Sequence, residues 1–169
     1  MLNEKLIAIE KKVFEGDFIY HYYKEVLQTF PMNLSIDLFS EKPPFNKFRM
    51  EIYQKNKKKL EMKLSLMING SSSELLKFKL GDKYTNPYAR SDFPENISKY
   101  AGITFKSNEP RIYAGLDGSV SLDFAVPFSC YDFPLKSIKN NDDIILAIIH
   151  FWKTSNIVTE LKITPFLIF

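Results

Sequence analysis

Residues 111–126 read Arg-Ile-Tyr-Ala-Gly-Leu-Asp-Gly-Ser-Val-Ser-Leu-Asp-Phe-Ala-Val, and no other stretch narrows the fold as much. Two short apolar-rich runs flank Asp117-Gly118. Both turn residues tolerate positive φ, which a two-residue hairpin connection requires. Beyond the turn, Val120, Leu122, Phe124 and Val126 alternate with Ser119, Ser121, Asp123 and Ala125. Side chains of period two lie on opposite faces of a strand, so this strand has one apolar face and one small or polar face.

The same period recurs. Leu34, Ile36 and Leu38 alternate with Ser35 and Asp37, then Glu41-Lys42-Pro43-Pro44 breaks the run. Phe48, Met50 and Ile52 alternate with Lys47, Arg49 and Glu51, and Gln54 to Lys59 reads as a polar hairpin tip. Leu60, Met62, Leu64, Leu66 and Ile68 form the returning strand; Asn69 to Ser73 reads as a turn, and Leu76, Phe78 and Leu80 as a further strand. Such segments make an antiparallel meander with one wet face. Ahead of it, Leu6, Ile9 and Val13 fall on one helical stripe, predicting a helix over 3–15 with Asn3 as N-cap and Gly16 as stop. Asp17 caps a predicted second helix over 18–29, closed by Pro31. Residues 81–110 carry Pro87, Pro94 and Pro110 and break the pattern, with a short helix over 94–100. A loop this long is functional or hides structure of its own. Residues 127–143 are again irregular. For 144–163, β-branched residues on both sides of Thr154-Ser155-Asn156 favour a hairpin over a helix at 142–153 capped by Asn141 or Asp142. The expectation is a single α+β domain, with one or two N-terminal helices on a curved, mostly antiparallel sheet of seven or eight strands.

Composition excludes several classes. With 169 residues, 45% hydrophobic and 25% charged, the chain can bury a core and is not wholly disordered. Cys130 is the only cysteine, so no intrachain disulfide forms and a reducing, cytoplasmic compartment is favoured. A net charge of +3 is smaller than the clustered basic bias of nucleic-acid binders, so nucleic acid is not an expected partner. Glu4 and Glu10 interrupt the N-terminal segment, which does not read as a signal peptide, and the run from Ile144 to Trp152 is too short to span a bilayer.

The chemical inventory is sparse. His21 and His150 are the two imidazoles, and a metal-free nuclease could divide acid and base roles between them; side chains packed among aromatics are the simpler reading. Cys130 lies in Phe-Ser-Cys-Tyr-Asp-Phe, which reads as a small residue buried in an aromatic pocket rather than a nucleophile. No metal-ligand spacing is present, and Asp142-Asp143 reads as capping chemistry. Ser71-Ser72-Ser73 lacks the glycine framing of a nucleophile elbow. No cofactor or metal is expected. Lys55, Lys57, Lys58 and Lys59 form a basic patch able to meet a phosphate or an acidic protein. The strongest candidate for recognition is the 81–110 stretch. There Tyr84, Tyr88, Arg90, Asp92, Phe93 and Tyr100 combine the aromatic and guanidinium side chains that dominate interface energetics. The alternative is that these aromatics fold back to close an open end of the sheet.

Three functions are therefore expected, in this order. The first is a non-catalytic protein-binding module. Its concrete form is a small bacterial immunity or antitoxin-type protein that occludes a cognate toxin. That form rests on how common such proteins are among Lys-, Asn- and Phe-rich chains of this size, not on a motif. The second is a carrier of apolar small molecules or lipids, with a pocket between helix and curved sheet. The third is the metal-free nuclease. Unpaired sheet edges would also allow a homodimer.

Overall fold

The computed structural model describes residues 2–14, 31–89, 91, 93–116 and 119–161. Its centre is a seven-stranded antiparallel sheet, and the α+β expectation holds. In chain order the elements are α1 (Leu2–Ala8), β1 (Lys12–Val13), β2 (Met32–Phe39), β3 (Lys47–Asn56), β4 (Lys59–Ile68), β5 (Ser71–Leu80), β6 (Tyr84–Thr85), α2 (Glu95–Ser98), β7 (Thr104–Phe105), β8 (Arg111–Leu116), β9 (Ser119–Pro127), a 3-10 turn (Phe128–Tyr131) and α3 (Asn141–Thr154). The large sheet runs β1-β2-β3-β4-β5-β8-β9 and stays open, while β6 and β7 form a separate two-stranded ladder.

The register explains why the alternation works. Ile36 stands opposite Met50, Met50 opposite Leu64, and Leu64 opposite Leu76. A one-residue slip would turn every one of these side chains to water, so the pattern specifies the pairing. Leu34, Phe48, Ile52, Met62, Phe78 and Ile112 complete one continuous apolar face. The opposite face carries charge: Arg49 pairs with its cross-strand partner Asp37, Lys63 with Glu61 and Glu74, and Lys79 with Glu61. The turn between β4 and β5 is the two-residue Asn69-Gly70, both at positive φ. Ser71 to Ser73, expected in the turn, instead begin β5. Gln54, expected at a polar tip, is buried at the end of the apolar face.

α3 overturns the hairpin expected over 144–163. Its Ile144, Ala147, Ile148, Phe151 and Trp152 are buried at spacings of three and four, laid onto the apolar face of the sheet. The Asn140 side chain caps it by accepting from the Asp143 N–H at 2.9 Å, and the Asp143 carboxylate accepts from the Lys139 N–H at 2.7 Å. A cap satisfies donors that the first turn leaves open. The four large buried side chains, worth roughly 2 kcal/mol each, outweigh the few tenths of a kcal/mol by which each isoleucine disfavours a helix. Phe151 sits edge-on to Phe78 at 6.2 Å, so Phe151→Ala would open a cavity at the centre of this contact.

The N-terminal helix is shorter than expected. It ends at Ala8, Asn3 falls inside it, and Val13 leaves the predicted helical stripe to pair with Leu38 at the sheet edge. The backbone then makes a parallel bridge between Lys11 and Ile157, with Lys11 N–H donating to Asn156 and Val158 N–H donating to Lys11. Edge pairing satisfies backbone groups at a position where the helical stripe offers only one apolar side. The second helix expected over 18–29, and the last residues of the predicted 144–163 hairpin, lie outside the described residues.

Candidate functional site

Residues 81–110 leave the sheet from β5 and re-enter it at the neighbouring strand β8. The neck is closed by Gly81 N–H donating to Ser107 at 2.8 Å. Gly81 is required there: its φ is +115°, and a Cβ would lie 2.6 Å from the Lys58 carbonyl oxygen. Above the neck, Tyr84 pairs with Phe105 and Thr85 with Thr104. α2 then occupies part of the short helix expected over 94–100. The stretch therefore has structure of its own.

Two residues anchor this excursion to the sheet. Arg111, 2% exposed, donates from Nε to the Tyr113 hydroxyl at 2.9 Å and from Nη1 to the Asp82 carbonyl at 2.8 Å. Its guanidinium lies 5.3 Å from the Tyr84 ring centre and 5.9 Å from that of Tyr113, and the two rings meet edge to face. Tyr113, Phe105 and Ala125 form a second small core with Tyr84 packed on it. The other anchor is Asn86. Its carboxamide accepts from Ala125 N–H at 2.8 Å and donates to the Ala125 carbonyl at 2.6 Å and the Tyr100 carbonyl at 3.0 Å. Ala125 belongs to β9, the last strand of the sheet. The Asn86 side chain thus does what a neighbouring strand would do, and it occupies edge groups that otherwise invite pairing.

The candidate recognition residues separate accordingly. Tyr84 is turned onto Tyr113, Phe93 packs on Phe124 at 4.8 Å, and Tyr100 is half-buried. Tyr88 points outward, 88% exposed, near Gly102, and Ile103 beside it is 41% exposed. Ile103 carried no signal in the sequence, since nothing local marks it as outward-facing. Arg90 and Asp92 lie outside the described residues.

Cys130 is exposed, not buried as its aromatic neighbours implied. The 3-10 turn that carries it buries Phe128 instead. Its Sγ lies 3.1 Å from the Tyr100 hydroxyl, and this hydrogen bond, with burial, raises the Tyr100 hydroxyl to about 12. His150 is half-buried between Phe128 and Phe133, at 5.1 and 5.4 Å, and its Nε2 lies 2.5 Å from the Tyr131 carbonyl. Burial first, then the nearby Cys130 and Glu4, raises the Tyr131 hydroxyl to about 12. His21 lies outside the described residues. Among the described residues no group of three or more His, Cys, Asp or Glu converges as a metal site would, and no helix is long and apolar enough to cross a membrane.

The basic patch divides as well. Lys59 turns to Asp82 at 2.5 Å and holds that carboxyl below its ordinary range, whereas Lys55, Lys57 and Lys58 are exposed. Sequence reasoning also missed Lys11. It is fully buried, with Nζ donating to the carbonyls of Ile7, Ile9 and Ser155 at 2.7–2.9 Å and lying 4.6 Å from the Phe48 ring centre. Burial lowers its ammonium from 10.5 to about 7.

Comparison with family models, curated proteins and solved structures returns no match.

Proposed function

We propose that the protein is a non-catalytic recognition module of the bacterial cytoplasm that binds another protein through the outer end of the 81–110 excursion. The observation that carries this reading is Tyr88, 88% exposed on a stretch whose root is tied down by Asn86 and Arg111. A tyrosine presented on an ordered platform loses little freedom on binding, and Tyr is among the residues that dominate interface energies. A toxin whose working surface is covered by this end of the molecule is the partner that fits the reading most concretely. The test is co-purification from the native host with wild type and with a Tyr88→Ala/Ile103→Ser variant. One stoichiometric partner, lost in the variant, supports the reading; a partner retained undiminished, or none under gentle conditions, ends it.

The carrier reading draws on one feature. A cleft of about 550 Å³ is lined by Val13, Phe14, Phe39 and Met67 among others, with Phe14 packed edge-on against Phe39 at 5.6 Å. Native mass spectrometry of freshly purified protein tests it, and a chain that is always empty removes it. The nuclease reading gains nothing from His150, whose ring nitrogen is engaged by a backbone carbonyl. Intact nuclease activity in a His21→Ala/His150→Ala variant would eliminate that role for the two histidines.

A further inference from the structure

Six surface cations meet a carboxylate: Lys12 meets Glu41, Lys42 meets Glu10, Arg49 meets Asp37, Lys59 meets Asp82, and Lys63 and Lys79 share Glu61. Lys57 and Lys58 at the β3–β4 turn and Lys139, just before α3, all line one cleft of about 580 Å³. Among the described residues none of the three forms an ion pair, and no carboxylate lines the cleft. Ser107, Asn108 and Asn141 supply polar side chains around it, and Leu80, Ile138 and Ile144 form an apolar floor. The Asp143 carboxylate of α3 accepts from the Lys139 backbone N–H and is outside the lining. Asp142 is exposed on the same turn but outside the lining.

The cleft is built, not incidental to a loose tip. Gly81 packs without a Cβ against the Lys58 carbonyl, and the Asn56 side chain accepts from the Lys58 and Lys59 N–H groups at 2.8 and 3.0 Å. Ile138 N–H donates to Asn108 at 2.8 Å and holds the opposite wall. Three like charges brought together without a counter-ion repel one another, and a bound anion removes that repulsion while gaining charge-assisted hydrogen bonds. The volume falls within the range of small-molecule pockets.

We infer that this cleft binds a small phosphorylated molecule, its phosphate held by Lys57, Lys58 and Lys139 and its remainder set against the amide side chains and the apolar floor. This site is separate from the protein-binding end proposed above and does not depend on it.

The test is isothermal titration at constant ionic strength with inorganic pyrophosphate, AMP and glucose 6-phosphate as probes, on the full chain. The Lys57→Gln/Lys58→Gln/Lys139→Gln variant is compared with a Lys47→Gln/Lys55→Gln control that removes charge from β3, outside the cleft lining. Saturable binding of at least one probe is expected, weakened about tenfold or more in the triple variant and unchanged in the control. AMP or glucose 6-phosphate binding more tightly than pyrophosphate would place the organic part in the cleft. No saturable heat with any probe at millimolar concentration overturns the inference, as does equal weakening in both variants. Circular dichroism confirms that the variants, all at exposed positions, remain folded.

Discussion

Lys11 and Arg111 are both buried cations that, among the described residues, have no carboxylate in hydrogen-bond contact, yet they are held in different ways. Lys11 sits where the strip before β1 meets the strip after α3, and three backbone carbonyls receive its three protons. Arg111 sits under the 81–110 excursion, against two tyrosine rings that also touch each other, with a hydroxyl and a carbonyl as acceptors. The ammonium is a compact, strongly hydrated charge, so burial drives its proton affinity down. The guanidinium is planar, weakly hydrated and packs on aromatic faces. Each cation ties an irregular segment to the sheet. The lesson is that polar tethers, not only apolar burial, hold the parts of this molecule that strand pairing does not reach.

Substitutions can break that comparison. Arg111→Met should cost the most, about 3 kcal/mol in denaturant unfolding, because it strands the buried Tyr113 hydroxyl, releases the Asp82 carbonyl and removes the group packed against the two rings. Hydrogen exchange should rise across 81–110 in the same variant, and a loss below about 1 kcal/mol would deny Arg111 its tethering role. Lys11→Met keeps the volume but orphans three carbonyls. That loss is partly offset because a desolvated charge is also removed, leaving about 2 kcal/mol near neutral pH.

Titration sharpens the contrast. Folded Lys11 releases its proton near 7 and the unfolded chain near 10.5, so between those values the unfolded state holds more protons. Its contribution to stability therefore rises with pH through that window, by about 1.4 kcal/mol per pH unit, and is flat below it. Unfolding curves of wild type minus Lys11→Met, collected across the window, should show this slope. A falling Lys11 difference would reverse the assignment. The smallest effect belongs to Tyr88→Ala, within about 0.5 kcal/mol of wild type, since an exposed side chain has little to lose on unfolding. A larger cost would mean that Tyr88 is structural.

How far the sequence revealed all this depended on range. The β2–β5 meander was legible because period-two alternation is local and each strand pairs with the next. Asn69-Gly70 announced a turn for the same reason. The 144–163 segment was ambiguous because its isoleucines suit either period, and the decision came from packing against Phe78 and from a cap at Asn140, one residue before the two considered. Lys11 was invisible: one of its acceptors belongs to Ser155, and no local pattern signals a carbonyl arriving from so far along the chain. The 81–110 stretch could be marked as unusual, but which of its aromatics face inward depended on Tyr113, Phe124 and Ala125 in strands β8 and β9. Lys139 likewise joined Lys57 and Lys58 only through the path of the fold.

The seating of β1 has a kinetic corollary. Val13 N–H donates to the Thr159 hydroxyl across a sequence separation of 146, and the Lys11–Ile157 bridge lies beside it. Closing a loop of that length costs entropy before any contact rewards it, whereas each hairpin of the meander closes almost at once. The strip around Lys11 should therefore join last during folding, onto a sheet already carrying α3.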